Sequence, residues 1–181
     1  MNSLRTGSLL LEPQVAAHAA DMFDVLSDPA IYEFENSPPQ SRAWLEHRFA
    51  KLESRASADG TEQWLNWVIR LPTGALAGYV QATVTQDRTA HMAYELASKY
   101  WRQGIGSASV SAVLCELEAN HDVHAFAATL KARNYRSLSL LRSLGFGPKR
   151  PEGVSAVDHE SDEIGMYKAV YIDKSCTNEE F

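Results

Sequence analysis

Residues 94–110, "YELASKYWRQGIGSASV", change character midway: an apolar run gives way to Lys99-Tyr100-Trp101-Arg102, and Gly104-Ile105-Gly106 then opens a small-residue pattern with helical spacing. A strand running into a glycine turn and then a helix aims free backbone N–H groups and the positive end of the helix dipole at one point, where an anion belongs. Gly104 and Gly106 carry no Cβ and allow close approach, and Arg102 adds a fixed positive charge. Pyrophosphate suits that chemistry. The Gly-Lys-Ser/Thr ending of a nucleoside-triphosphate loop is missing. A dinucleotide fingerprint needs an opening parallel unit, whereas these glycines come late, after an apparent antiparallel meander. Taken alone, the two glycines also suit a helix start that uses them for tight packing.

The elements that must position this turn are legible from periodicity. "SLLLEP" reads as a short opening strand and "VAAHAADMFDVLSDP" as a helix stopped near Pro29. Ser41 caps a second helix across "RAWLEHRFAKLESR", where Trp44, Leu45, Phe49 and Leu52 recur at helical spacing. Leu65, Trp67, Ile69 and Leu71 fall on one face of a strand. After a Pro72-Thr73-Gly74 turn, Leu76, Gly78, Val80, Ala82 and Val84 share a face of the next, and "TAHMAYELA" completes three antiparallel strands. Beyond the glycines, Ile105, Ala108, Val113, Leu114 and Leu117 trace a helix ending near Asn120. "VHAFAATL" is a strand, "YRSLSLLRSLG" a helix with Leu138, Leu141 and Leu144 inward and Gly145 as its C-cap, and "EIGMYKAVYI" a last strand. Trp44, Trp64 and Trp67 are expected to build core or cleft wall.

With 181 residues and an apolar share of 45%, the chain suits one globular domain. A net charge of −6 argues against nucleic acid or an anionic membrane as partner and favours a cationic small substrate. Cys115 and Cys176 form neither a metal-ligand pattern nor a disulfide framework, and His121 and His124 do not add a metal site to them. Without a signal-peptide core or a membrane-length apolar run, a cytoplasmic location is expected.

The glycine segment, followed by a strand and then "NYRSLSLLRSLGF", resembles the GNAT acyltransferase superfamily, in particular its RimJ/RimL-like branch of ribosomal-protein N-terminal and small-amine acetyltransferases. "DPAIYEF" and "EIGMYKAV" extend the likeness over almost the whole chain. The fold expected is α/β (α+β), a strongly twisted, mostly antiparallel sheet of six or seven strands with helices on both faces. It forms a single domain over residues 1–172, with residues 173–181 as a tail. Trp101 departs from the Arg or Gln that opens this loop in much of the superfamily; an aromatic is common there in this branch.

The resemblance implies acetyl-CoA as cosubstrate, no metal, and direct attack by a primary amine in a ternary complex, in a monomer or homodimer. It places the pyrophosphate on the N–H groups of Gln103, Gly104, Ile105, Gly106 and Ser107 beside Arg102. The pantetheine arm would pair with the backbone around Tyr94, Leu96 and Ala97, where the strands splay, and Asn134 would touch the arm. Relatives' helix tyrosine is Leu141 here, so Ser137 is the first candidate for the general acid and Tyr135 the second; Ser137 reads equally as a helix N-cap. Glu95 and His91 are the candidate bases, on one strand face by alternation and each also readable as a structural or solvated side chain. Tyr32, Glu33 and Glu35 form an acidic aromatic loop over the acceptor side, suited to a cationic amine. The rival reading is a CoA-binding sensor or interaction module that kept the fold and lost turnover.

Overall fold

A computed structural model describes residues 1–34, 36–156 and 160–170. Seven strands form one sheet in chain order: β1 (Leu4–Thr6), β2 (Leu9–Pro13), β3 (Gln63–Arg70), β4 (Leu76–Val84), β5 (Thr89–Leu96), β6 (Ala125–Lys131) and β7 (Glu163–Ala169). Every neighbouring pair is antiparallel except β5 with β6. The opening segment is thus a hairpin and not a single strand, because Gly7 takes a φ of 56° and turns the chain back after Thr6. The expected tail lies outside the described residues.

Four helices cover the sheet: α1 (Ala19–Leu26) and α2 (Arg42–Leu52) on one face, α3 (Ile105–Asn120) and α4 (Tyr135–Ser143) on the other. The larger core joins Leu65, Trp67 and Ile69 of β3 to Val110, Leu114 and Leu117 of α3 and Leu138 and Leu141 of α4. The smaller joins Met22, Leu45 and Phe49 to Val68 and Leu76. Ser41 caps α2 by accepting the Trp44 N–H at 3.1 Å, a contact worth about 1 kcal/mol. Gly145, with φ 87°, follows the end of α4.

Two expectations on packing are corrected. Trp44 is 41% exposed and builds neither core nor cleft wall, because the sheet-facing stripe of α2 is carried by Leu45 and Phe49, one turn apart. Leu76 does not share a face with Val80, Ala82 and Val84. Ile69 pairs with Gly78 and Arg70 with Leu76, so Ala77 is an extra residue on β4 that sends Leu76 to the α1–α2 side.

Gly78, beside that bulge, presses on the backbone of β5. A Cβ there would collide with the Glu95 carbonyl oxygen and come within 2.8 Å of the Leu96 Cα. Gly78→Ala is expected to cost about 3 kcal/mol, read as a lower urea midpoint with an unchanged slope. A midpoint equal to the wild type's would mean that β4 and β5 part without cost.

Candidate active site

The β5–β6 pairing is short. Thr89, Ala90 and His91 are in register with Ala125, Phe126 and Ala127, and pairing stops there. Beyond it the two strands part, and a cavity of about 840 Å³ opens between Met92–Leu96 of β5 and Ala128–Leu130 of β6. Among the described residues, the edge of β5 that faces β6 has no strand partner there, and apart from the Leu96 carbonyl, which the Trp101 indole takes, an extended ligand can pair with it as a further strand would.

One end of the cavity is the glycine turn. Gly104 is the N-cap of α3 in a left-handed conformation, φ 77°, which glycine adopts freely. Intrahelical bonding begins only with the Ala108 N–H on the Gly104 carbonyl at 3.0 Å, so the amides of Ile105, Gly106 and Ser107 have no partner inside the helix. The first turn carries no acid, and Arg102 is exposed beside it. Gly106 serves packing as well: a Cβ would lie 3.1 Å from Leu140 Cδ1 on α4. Gln103 donates its side-chain amide to the Lys99 carbonyl at 2.8 Å, and Trp101 donates its indole N–H to the Leu96 carbonyl at 2.9 Å. The turn is thereby tied to the end of β5. Ala97 is buried against the α1–α2 side just beyond it.

α4 forms the opposite wall. Its cap is Asn134, whose carboxamide oxygen accepts the Ser137 N–H at 3.1 Å. Ser137 is therefore not the cap. Its hydroxyl stands 2.7 Å from the Tyr94 hydroxyl, which reaches over from β5. Burial pushes the Tyr94 phenol up, partly offset by the Ser137 hydrogen bond, to about 12. Leu141 is core. Tyr135 is 74% exposed on the first turn of α4, at the cavity rim.

Glu95 lines the cavity from the other face of β5, directly opposite Tyr79 of β4. Burial, then the Glu95 charge, raises both the Tyr79 and Tyr32 phenols, so three polar groups converge there. His91 is not among the lining residues; it sits on the last paired rung before the strands part, across from Thr83 and Ala127. Burial is the main cause that lowers its pKa, which leaves the imidazole neutral at pH 7.

The loop that follows α1 is pinned at three points. Asp28 accepts the Ser98 N–H at 2.7 Å and the Ala30 N–H at 3.0 Å, and hydrogen bonding from Ser98 is the first cause holding its carboxyl below the usual range. Tyr32 donates to the Leu26 carbonyl at 2.7 Å. Glu33 pairs with Arg136 of α4 at 2.6 Å, and the Arg136 guanidinium lies 4.3 Å above the Trp101 ring and 5.3 Å above Phe34. Tyr32 and Glu33 thus brace the loop, while Ile31, Phe34 and Asn36 line the cavity. Glu35 lies outside the described residues.

Sequence reasoning missed Tyr79, Arg136 and the side chain of Tyr94. Only the last had a signal, since alternation with Met92 and Leu96 aims its ring into the cleft. The residues present fit a CoA thioester: first-turn amides outside the intrahelical bonding, a β5 edge that β6 leaves, and Thr129 Oγ1, a buried hydroxyl without a partner among the described residues and on a residue that lines the cavity. Among the described residues, there is no group of three side chains able to hold a metal ion, and no helix is long and apolar enough to cross a membrane.

Residues 8–147 match the acetyltransferase (GNAT) domain family, and the chain belongs to it. Among solved structures, the chain is similar to the ribosomal L7/L12 α-N-protein acetyltransferase RimL in complex with coenzyme A, with TM-score 0.78, 13% identity, and 93% and 98% of the two chains covered. It is similar to the ribosomal-protein-S5-alanine acetyltransferase from Vibrio fischeri, with TM-score 0.75, 17% identity, and 93% and 97% covered. It is also similar to spermidine N-acetyltransferase from Vibrio cholerae in complex with CoA and spermine, with TM-score 0.72, 17% identity, and 90% and 95% covered. These likenesses concern the fold. A search of curated proteins finds no match.

Proposed function

We propose that the protein is an acetyl-CoA-dependent N-acetyltransferase that moves an acetyl group to a primary amine by direct attack in a ternary complex. The observation that carries this reading is a cavity that joins the first turn of α3, the edge of β5 that parts from β6, Glu95 and the Tyr94–Ser137 pair. Acetyl-CoA supplies an activated acyl group as a thioester. The chain's own work is to hold that thioester still, to take a proton from the amine and to offer a hydrogen to the departing thiolate.

In this reading the amides of Gln103 to Ser107 and Arg102 hold the pyrophosphate, and the backbone around Tyr94, Leu96 and Ala97 holds the pantetheine arm, with Asn134 beside it. Glu95 is the base and Ser137 faces the thiolate. His91 and the exposed Tyr135 are the competing candidates for those two tasks. The structural neighbours include enzymes named for protein N-termini and for spermidine, so both kinds of amine belong in the test. The negative net charge favours a cationic acceptor.

Calorimetric titration with acetyl-CoA, followed by thiol release over polyamines, aminoglycosides and N-terminal peptides, tests the proposal. Binding in the micromolar range with turnover of one amine class is expected. Binding without turnover of any amine would establish the sensor reading instead, and absence of binding would overturn both.

A further inference from the structure

Tyr94 and Ser137 are 43 positions apart in the chain, yet their hydroxyl oxygens stand 2.7 Å apart across the cleft, and both residues line the cavity. The Asn134 cap fixes the backbone that carries Ser137. Of two hydroxyls at this distance one donates and the other accepts. If Ser137 donates, the Tyr94 hydrogen turns to the Ser137 carbonyl oxygen at 3.4 Å, and both hydrogens are used within the pair. If Tyr94 donates, the Ser137 hydrogen is left for a ligand in the cavity. A ligand atom that gains negative charge selects the second arrangement.

We infer that Tyr94 is a positioning residue, whose hydroxyl donates to Ser137 Oγ and turns the Ser137 hydrogen toward the sulfur that leaves the thioester. This rests on the acetyl transfer proposed above. There the amine nitrogen bonds to the carbonyl carbon, and the carbon–sulfur bond breaks with its electron pair going to sulfur. The amine proton passes to Glu95 and then to solvent. Sulfur leaves as a thiolate hydrogen-bonded by Ser137 and takes its proton from solvent on release. A thiol of pKa about 8.5 is a stronger acid than Tyr94, so the hydroxyl pair lends a hydrogen bond and keeps its protons.

The test compares wild type, Tyr94→Phe, Ser137→Ala and the double variant. Ser137→Ala is expected to lower kcat about 100-fold and Tyr94→Phe about tenfold, with the acetyl-CoA KM within about twofold, and the double variant is expected to equal Ser137→Ala. Without turnover, the ultraviolet absorbance of bound CoA thiolate reads the thiol pKa, expected to rise by about one unit in Tyr94→Phe. A Tyr94→Phe loss that persists in the Ser137→Ala background overturns the inference, as does a Tyr94→Phe protein with unchanged kcat and thiol pKa. In either case a large Ser137→Ala effect leaves the acetyl transfer standing, whereas a wild type that neither binds nor turns over removes both. Should Tyr94→Phe fold poorly, 3,5-difluorotyrosine at position 94 keeps the shape and lowers the phenol pKa. The rate should then fall from a lower pH than in wild type, and an unmoved alkaline limb overturns the inference.

Discussion

Gly106→Glu is expected to fold and to lose at least about 100-fold in affinity for acetyl-CoA, close to 3 kcal/mol. Position 106 lies in the first turn of α3, where a carboxylate interacts favourably with the helix dipole, so the helix itself gains. That same carboxylate competes for the amides of Ile105 to Ser107 and repels a pyrophosphate placed on them. The added Cβ meets the ends of two flexible side chains, Leu140 Cδ1 at 3.1 Å and Leu96 Cδ1 at 3.9 Å. Gly106→Ala therefore separates crowding from charge, and its affinity is expected to stay within about threefold of wild type. Calorimetry checks both, with thermal unfolding to confirm the fold. An unchanged affinity in Gly106→Glu would mean that the turn is a helix start and not an anion site.

The second large effect is expected at Glu95. Glu95→Gln removes the proposed base without changing its size, and a fall in kcat of about 100- to 1000-fold should follow. The sign of the pH dependence is definite. A base works deprotonated, so the wild-type rate falls as pH drops through its pKa, and the variant's residual rate should lose that acidic limb. His91→Ala is expected to cost less than about fivefold and to keep the limb, because His91 lies on the last paired rung of β5 and β6, outside the cavity lining. Steady-state pH profiles of the two variants decide between them. A limb lost in His91→Ala and kept in Glu95→Gln would transfer the role to His91.

Patterns that act over a few residues were legible from the chain alone. Alternation placed Leu65, Trp67 and Ile69 on one face, and helical spacing placed Leu138 and Leu141 on another. Ser41 and Gly145 marked helix ends and Gly104 a helix start, while the left-handed conformation of Gly104 emerged only in the structure. The GNAT resemblance rested on such local motifs in the right order, and the seven-stranded sheet between two helix layers agrees with it.

The family resemblance already implied a splay of strands around Tyr94, Leu96 and Ala97, but tertiary structure alone decided which side chains meet in the gap. A bulge at Ala77 reversed the face of Leu76, which no alternation reveals, because a bulge is a mismatch between two strands and not a property of either. Ser137 had two readings in the sequence. The structure gives the cap to Asn134, which sequence reasoning did not place there, and sets the Ser137 hydroxyl against Tyr94, a contact that exists only once α4 stands across from β5. Arg136 meets Glu33 across 103 positions, and their charges carry no mark of each other in the chain. Secondary structure is encoded in neighbours along the backbone and can be read from them. An active site is assembled from faces that touch only after the core has packed, so its contacts exist only in the folded protein.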